Sequence, residues 1–82
     1  MNITVRYLGG LRQEMRMDSS TLALPDDATV ADLKARLHAL GLDLDEAKNI
    51  AVLNQHGLDQ WPPEQRLAPA DVVIVFPNIA GG

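Results

Sequence analysis

The sequence closes on Phe76-Pro77-Asn78-Ile79-Ala80-Gly81-Gly82. The group there with the most chemistry to offer is the carboxylate of Gly82. A carboxylate is a poor electrophile until one oxygen becomes a leaving group, for example by adenylation with ATP. A nucleophile can then take the acyl carbon. Side chains at the last two positions would obstruct that approach, and glycine has none. Gly-Gly falls at two given positions by chance in about 0.5% of chains, and a frayed terminus that tolerates small residues is the plainer reading. Against it, Pro77 stiffens the exit from the preceding strand, and residues 78–82 carry no charged side chain. Five or six extended residues reach ~18–20 Å at most. The expected organisation is a folded domain over residues 1–76 and a narrow tail over 77–82 that carries a carboxylate into another protein's cleft.

Other chemistry finds less support. His38 and His56 have no partner at the short offsets of a zinc site, and the expectation is no metal. Asp26-Asp27 precede a helix, where its dipole accounts for them; Asp43, Asp45 and Glu46 form a short polar segment. Ser19-Ser20 lack a nucleophile-elbow context. Gly9-Gly10 have neither the lysine nor the further glycine of a phosphate loop. Trp61, among prolines, reads as a cover over the core more readily than as a binding anchor. With no cysteine in 82 residues, neither a disulfide nor thiolate chemistry can come from this chain. The net charge of −4 argues against nucleic acid, which needs clustered Lys and Arg, and suits an acidic surface meeting a basic partner. No apolar run approaches the ~20 residues that span a bilayer, and no signal-peptide pattern opens the sequence. No membrane association is expected, and the cytoplasm is the default location. The domain shows no active site of its own, so the reading is a carrier and not an enzyme.

The elements must present that tail. In residues 1–8, Ile3, Val5 and Tyr7 alternate with Asn2, Thr4 and Arg6, the pattern of a half-buried strand. Leu11 and Met15 permit one helical turn, with a continuing strand as the competitor. Residues 20–24 read as a second strand. Thr29 is a good N-cap with Asp32 at N3, Val30, Leu33, Leu37 and Leu40 make one apolar stripe, and Gly41 ends the helix. A third strand spans 49–55, His56-Gly57 is a turn, and a short edge strand is possible near 58–61. After a turn at 67–71, Val72–Phe76 is uninterruptedly apolar and belongs at the sheet's centre. One helix covers one face only. The other face is open as a partner surface, unless loop residues such as Trp61 fold over it.

The segments DVVIVFPNIAGG, IAVLNQ and TLALPDDATVADLKARL, in this order, resemble the ubiquitin-like sulfur-carrier family (MoaD/ThiS type) over most of the chain. The Leu11–Met15 insertion is more like the molybdopterin-synthase small subunit than the compact thiazole-type carriers. The resemblance implies an α+β, β-grasp (ubiquitin-like) fold: a mixed four- to five-stranded sheet with one main helix on one face. It implies that a ubiquitin-activating-type adenylyltransferase, using ATP, adenylates Gly82, beside Gly81. A sulfur donor converts the adenylate to a thiocarboxylate, and the tail delivers sulfur inside a synthase. The chain itself binds no cofactor. Molybdopterin is the leading destination, with thiamine, cysteine and tRNA thiolation as alternatives. A ubiquitin-like modifier joined to lysines, or an interaction module with an idle tail, are the competing classes. Phe76, Pro77, Ile79 and Ala80 are the expected partner contacts, with Arg6 and Arg66 at the rim.

Overall fold

The computed structural model describes residues 1–44 and 48–78. Five strands form one mixed sheet: β1 (Asn2–Tyr7), β2 (Ser19–Ala23), β3 (Asn49–Leu53), β4 (His56–Gly57) and β5 (Val72–Pro77). Their order is β2-β1-β5-β3-β4. β1 and β5 run parallel, with Val5 opposite Val73; the other neighbours are antiparallel. This is the β-grasp arrangement, and the apolar run of β5 lies at its centre as the sequence predicts.

Two helices accompany the sheet, α1 (Gly10–Met15) and α2 (Val30–Ala39). The α1 turn replaces the competing strand reading; it buries Leu11 and stops at Arg16, which adopts the left-handed conformation. Thr29 caps α2 as expected. Its backbone N–H donates to the Asp32 carboxylate at 2.9 Å, and Asp32 N–H donates back to the threonine hydroxyl at 3.4 Å. At the other end Leu42 N–H donates to Leu37 C=O and Gly41 N–H to His38 C=O, the paired bonds of a Schellman ending. Gly41 at φ +88° supplies the reversal.

That ending corrects one expectation. Leu40 does not continue the apolar stripe; it is 40% exposed. The helix has closed at Ala39, and the reversal at Gly41 brings Leu42 back into the core instead. Two further corrections fall on the β3–β4 connection. β3 stops at Leu53, because Asn54 and Gln55 both have positive φ, 50° and 72°. Two consecutive left-handed residues make a type I′ hairpin turn, so His56-Gly57 is the returning strand, not the turn. The expected edge strand near 58–61 is a 3-10 turn over Leu58–Gln60.

Strand alternation divides the sheet. Ile3, Val5, Tyr7, Leu22, Ala51, Leu53, Val73 and Val75 point to one side and are buried with Val30, Leu33 and Leu37 of α2. No buried polar side-chain atom among the described residues lacks a hydrogen bond; the Tyr7 hydroxyl, for example, meets the Ser20 hydroxyl at 2.8 Å.

Candidate functional site

The other face of the same strands leads to the tail. Thr4 and Arg6 of β1 lie opposite Val72 and Ile74 of β5, and Ile50 and Val52 of β3 lie opposite Phe76 and Ile74. Ile50, Val52, Ile74 and Phe76 are half-buried, and Val72 and Leu8 are each 38% exposed. Large apolar side chains that no helix covers form a row along β3 and β5, continued by Leu8 just past the end of β1. Trp61 does not fold over this row. Its ring packs against the core cluster, its indole N–H donates to Leu53 C=O at 3.0 Å, and its edge meets the exposed His56 at 5.8 Å. The covering-loop alternative is therefore set aside.

At the end of β5 the row closes into a shallow apolar groove. Leu8, Gly9, Gly10, Ile50, Phe76, Pro77 and Asn78 line it. Gly9 has φ +61° and ψ −144°, a region essentially reserved for glycine, and a Cβ there would stand 3.5 Å from Pro77 Cδ. This kink turns the chain from β1 into α1 beneath the proline. Pro77 itself pairs with Asn49 at the edge of the β3–β5 ladder. One residue further, Asn78 N–H donates to Lys48 C=O at 2.8 Å. The root of the tail is thus stitched to β3 on one side and packed on Gly9 on the other.

Of the predicted contacts, Phe76 and Pro77 meet at this root. Arg6 is exposed on the open face beside Ile74. Arg66 is elsewhere, bridging Thr29 at the head of α2. Ile79, Ala80, Gly81 and Gly82 lie outside the described residues. Sequence reasoning missed Leu8, Gly9, Gly10, Ile50 and Lys48 as neighbours of the tail. Gly9-Gly10 read only as a strand stop; what makes them part of the site is the parallel pairing of β1 with β5, which no local pattern encodes. Among the described residues no group of three or more His, Asp or Glu could hold a metal ion, and no helix is long and apolar enough to cross a membrane.

Among the described residues the groove at the tail root is apolar, and a second cleft that also includes Asn78 is lined by Lys34, His38 and Asp59. Neither His38 nor His56 is among the residues lining the groove. Comparison with known proteins places the chain in a family. The model of the ThiS family matches residues 5–82. A Pyrococcus furiosus protein proposed to be molybdopterin converting factor subunit 1 is 26% identical, with TM-score 0.68 over 96% of this chain and 99% of that one. The solution structure of HVO 2177 from Haloferax volcanii is 27% identical, with TM-score 0.72 over 100% of this chain and 87% of that one. SAMP1 from the same organism, a small archaeal modifier protein, shares the fold at 17% identity and TM-score 0.69, each chain covered in full. No protein of curated function matches the sequence.

Proposed function

The chain belongs to the ThiS family, and from that premise we propose that it is a sulfur carrier whose reactive group is the carboxyl of Gly82. An oxygen of that carboxylate attacks the α-phosphorus of ATP on a separate activating enzyme, and pyrophosphate leaves. A sulfur nucleophile then attacks the acyl carbon; the bond to AMP breaks, AMP departs with the electron pair, and a thiocarboxylate remains. The tail carries this group into the active site of a sulfur-accepting synthase. The partner enzymes supply ATP binding and acid–base chemistry. This chain supplies reach, a tip without side chains, and a docking face.

One observation carries the reading: the family model matches residues 5–82, from within β1 to Gly81-Gly82. The stitched root supports it. Asn78 is held to β3, and the four residues that follow it in sequence span ~13–14 Å if extended. Phe76 and Pro77 grip the partner at that root, and Ile79 and Ala80 contact the walls of the cleft the tail enters. Molybdopterin is the favoured destination, supported by the likeness to the Pyrococcus protein at 26% identity. Transfer to thiamine, cysteine or tRNA uses the same thiocarboxylate. Conjugation to lysines of other proteins would start from the same adenylate; the likeness to the archaeal modifier, at 17% identity, reaches only the fold.

Intact-mass measurement tests the proposal. With the cognate activating enzyme, ATP and a sulfide source, the chain gains about 16 Da as oxygen is replaced by sulfur. A form lacking Gly81-Gly82 gains nothing. An unchanged mass with an activating enzyme that demonstrably turns over ATP would overturn the reading.

A further inference from the structure

The two edges of the sheet are guarded differently. β4 is two residues long, passes at once into the 3-10 turn at Leu58–Gln60, and is followed by Pro62-Pro63. At the opposite edge β2 is five residues long, holds an unbroken register with β1, and has neither charge nor proline from Ser19 to Ala23. An edge of this kind is usually blunted by a lysine, a proline or a bulge, because its unpaired backbone groups are a template for another strand. Which groups are unpaired follows from the ladder. Tyr7 N–H donates to Asp18 C=O at 2.9 Å, and Met1 and Leu24 exchange bonds of 2.7 and 2.8 Å. Antiparallel pairing alternates, so Asp18, Ser20, Leu22 and Leu24 bond to β1, while Ser19, Thr21 and Ala23 turn their N–H and C=O groups outward. One of those groups has a partner among the described residues: Ala23 C=O accepts from Arg36 Nη1 at 3.0 Å.

The ends of this edge carry opposite charge. Arg16 precedes it, exposed and without an ion pair among the described residues. Asp26 and Asp27 follow it, both exposed, and Asp26 meets the N-terminal ammonium at 3.1 Å. An antiparallel strand added here must bring an acid to Arg16 and a base to the aspartates, with uncharged residues between. β2 of a second copy has that pattern. We propose that β2 pairs antiparallel with β2 of a second copy about a two-fold axis at Thr21, joining two five-stranded sheets into one. In this register Ser19 lies opposite Ala23 of the other copy, and every outward residue is paired. Moving the centre by one residue sets Ala23 opposite Met17, whose N–H already donates to Arg12 C=O, or Ser19 opposite Pro25, which has no N–H. Centring on Thr21 also carries Arg16 toward Asp26 and Asp27 of the second copy. It lays Asp18 beside the second copy's Leu24, on the helix side from which Arg36 reaches Ala23. The axis is normal to the sheet, so both α2 helices stay on one side and both open faces on the other. The two β5 strands stand ~24 Å apart, across β1 and β2 of each copy, and neither groove at a tail root is covered. The pairing uses no residue of the tail, so it is independent of the reading of Gly82.

A short edge buries less than the ~1,200 Å² of a standard interface, which makes this a transient dimer. Sedimentation velocity of the full chain between about 10 µM and 1 mM tests it. The mass should rise from 8.9 kDa toward twice that value, and the amides of Ser19, Thr21 and Ala23 should gain protection from hydrogen exchange over the same range. Thr21→Pro removes an outward N–H without touching the ladder to β1, and should keep the chain monomeric throughout. Arg16→Glu should weaken association about tenfold, and adding Asp26→Lys and Asp27→Lys to it should restore association. A parent chain that stays monomeric at the highest concentration overturns the proposal. So does a dimer that survives Thr21→Pro, one that Arg16→Glu leaves unchanged, or one lost in Phe76→Asp, which would seat the second copy on the open face. Should Thr21→Pro unfold the chain, Arg16→Glu and its charge-swapped rescue, both outside β2, decide the matter.

Discussion

Val75 and Phe76 are neighbours on β5, yet they belong to different worlds. Val75 points under α2, has no exposed surface and packs into the core. Phe76 points the other way, half-buried, over the groove at the tail root. The same contrast runs through β1 and β3: Val5 against Arg6, Ala51 against Ile50. One helix suffices to close one face, and the small domain leaves apolar residues on the second where a larger fold would add another layer. The closed core and the uncovered face are thus separated by a single step along the chain, since a strand alternates its side chains.

That separation can be broken by experiment. Val75→Asp places an unpaired carboxylate in the closed core. It should abolish cooperative unfolding, a loss above about 4 kcal/mol, read by thermal or urea denaturation. Leu37→Ala, on the helix side of the same core, leaves a cavity and should cost about 2–5 kcal/mol in urea unfolding. Phe76→Asp puts the same charge one residue from the first variant, on the open face. Its unfolding free energy should change by no more than about 1 kcal/mol, while its binding to the cognate activating enzyme in a titration falls at least tenfold. If Phe76→Asp unfolds the domain as Val75→Asp does, both faces are core and the docking face is withdrawn. If it binds unchanged, the open face plays no part in recognition.

Much of this arrangement is legible in the residues, and the limits follow a pattern. α2 announces itself through Thr29, Asp32 and Gly41 because caps and stripes are local. β5 declares its central place by lacking any charge from Val72 to Phe76. The β3–β4 hairpin is hidden because Asn54-Gln55 occupies a turn whose strongest signal is a glycine in second place; two left-handed residues without glycine leave little to read. Leu40 misleads because periodicity continues past the residue where the backbone reverses. The tail root is hidden for another reason. Gly9 follows β1 while Lys48 and Ile50 sit at the start of β3, and only the pairings of β1 and β3 with β5 gather them. Long-range register of that kind leaves no trace in any window of sequence.

The parallel pairing of β1 with β5 also governs when the molecule comes into being. The first strand has β2 as an early neighbour, but its inner edge waits for residues 72–75. Pairing across most of the chain is slow to form, and a growing chain must leave that edge bare until the last strand emerges. The sheet therefore closes from its middle, when β5 slots between β1 and β3, and the groove at the tail root forms only then. A nascent chain halted before β5 would have the main helix and the hairpin of β1 with β2, but no finished sheet and no groove at the tail root.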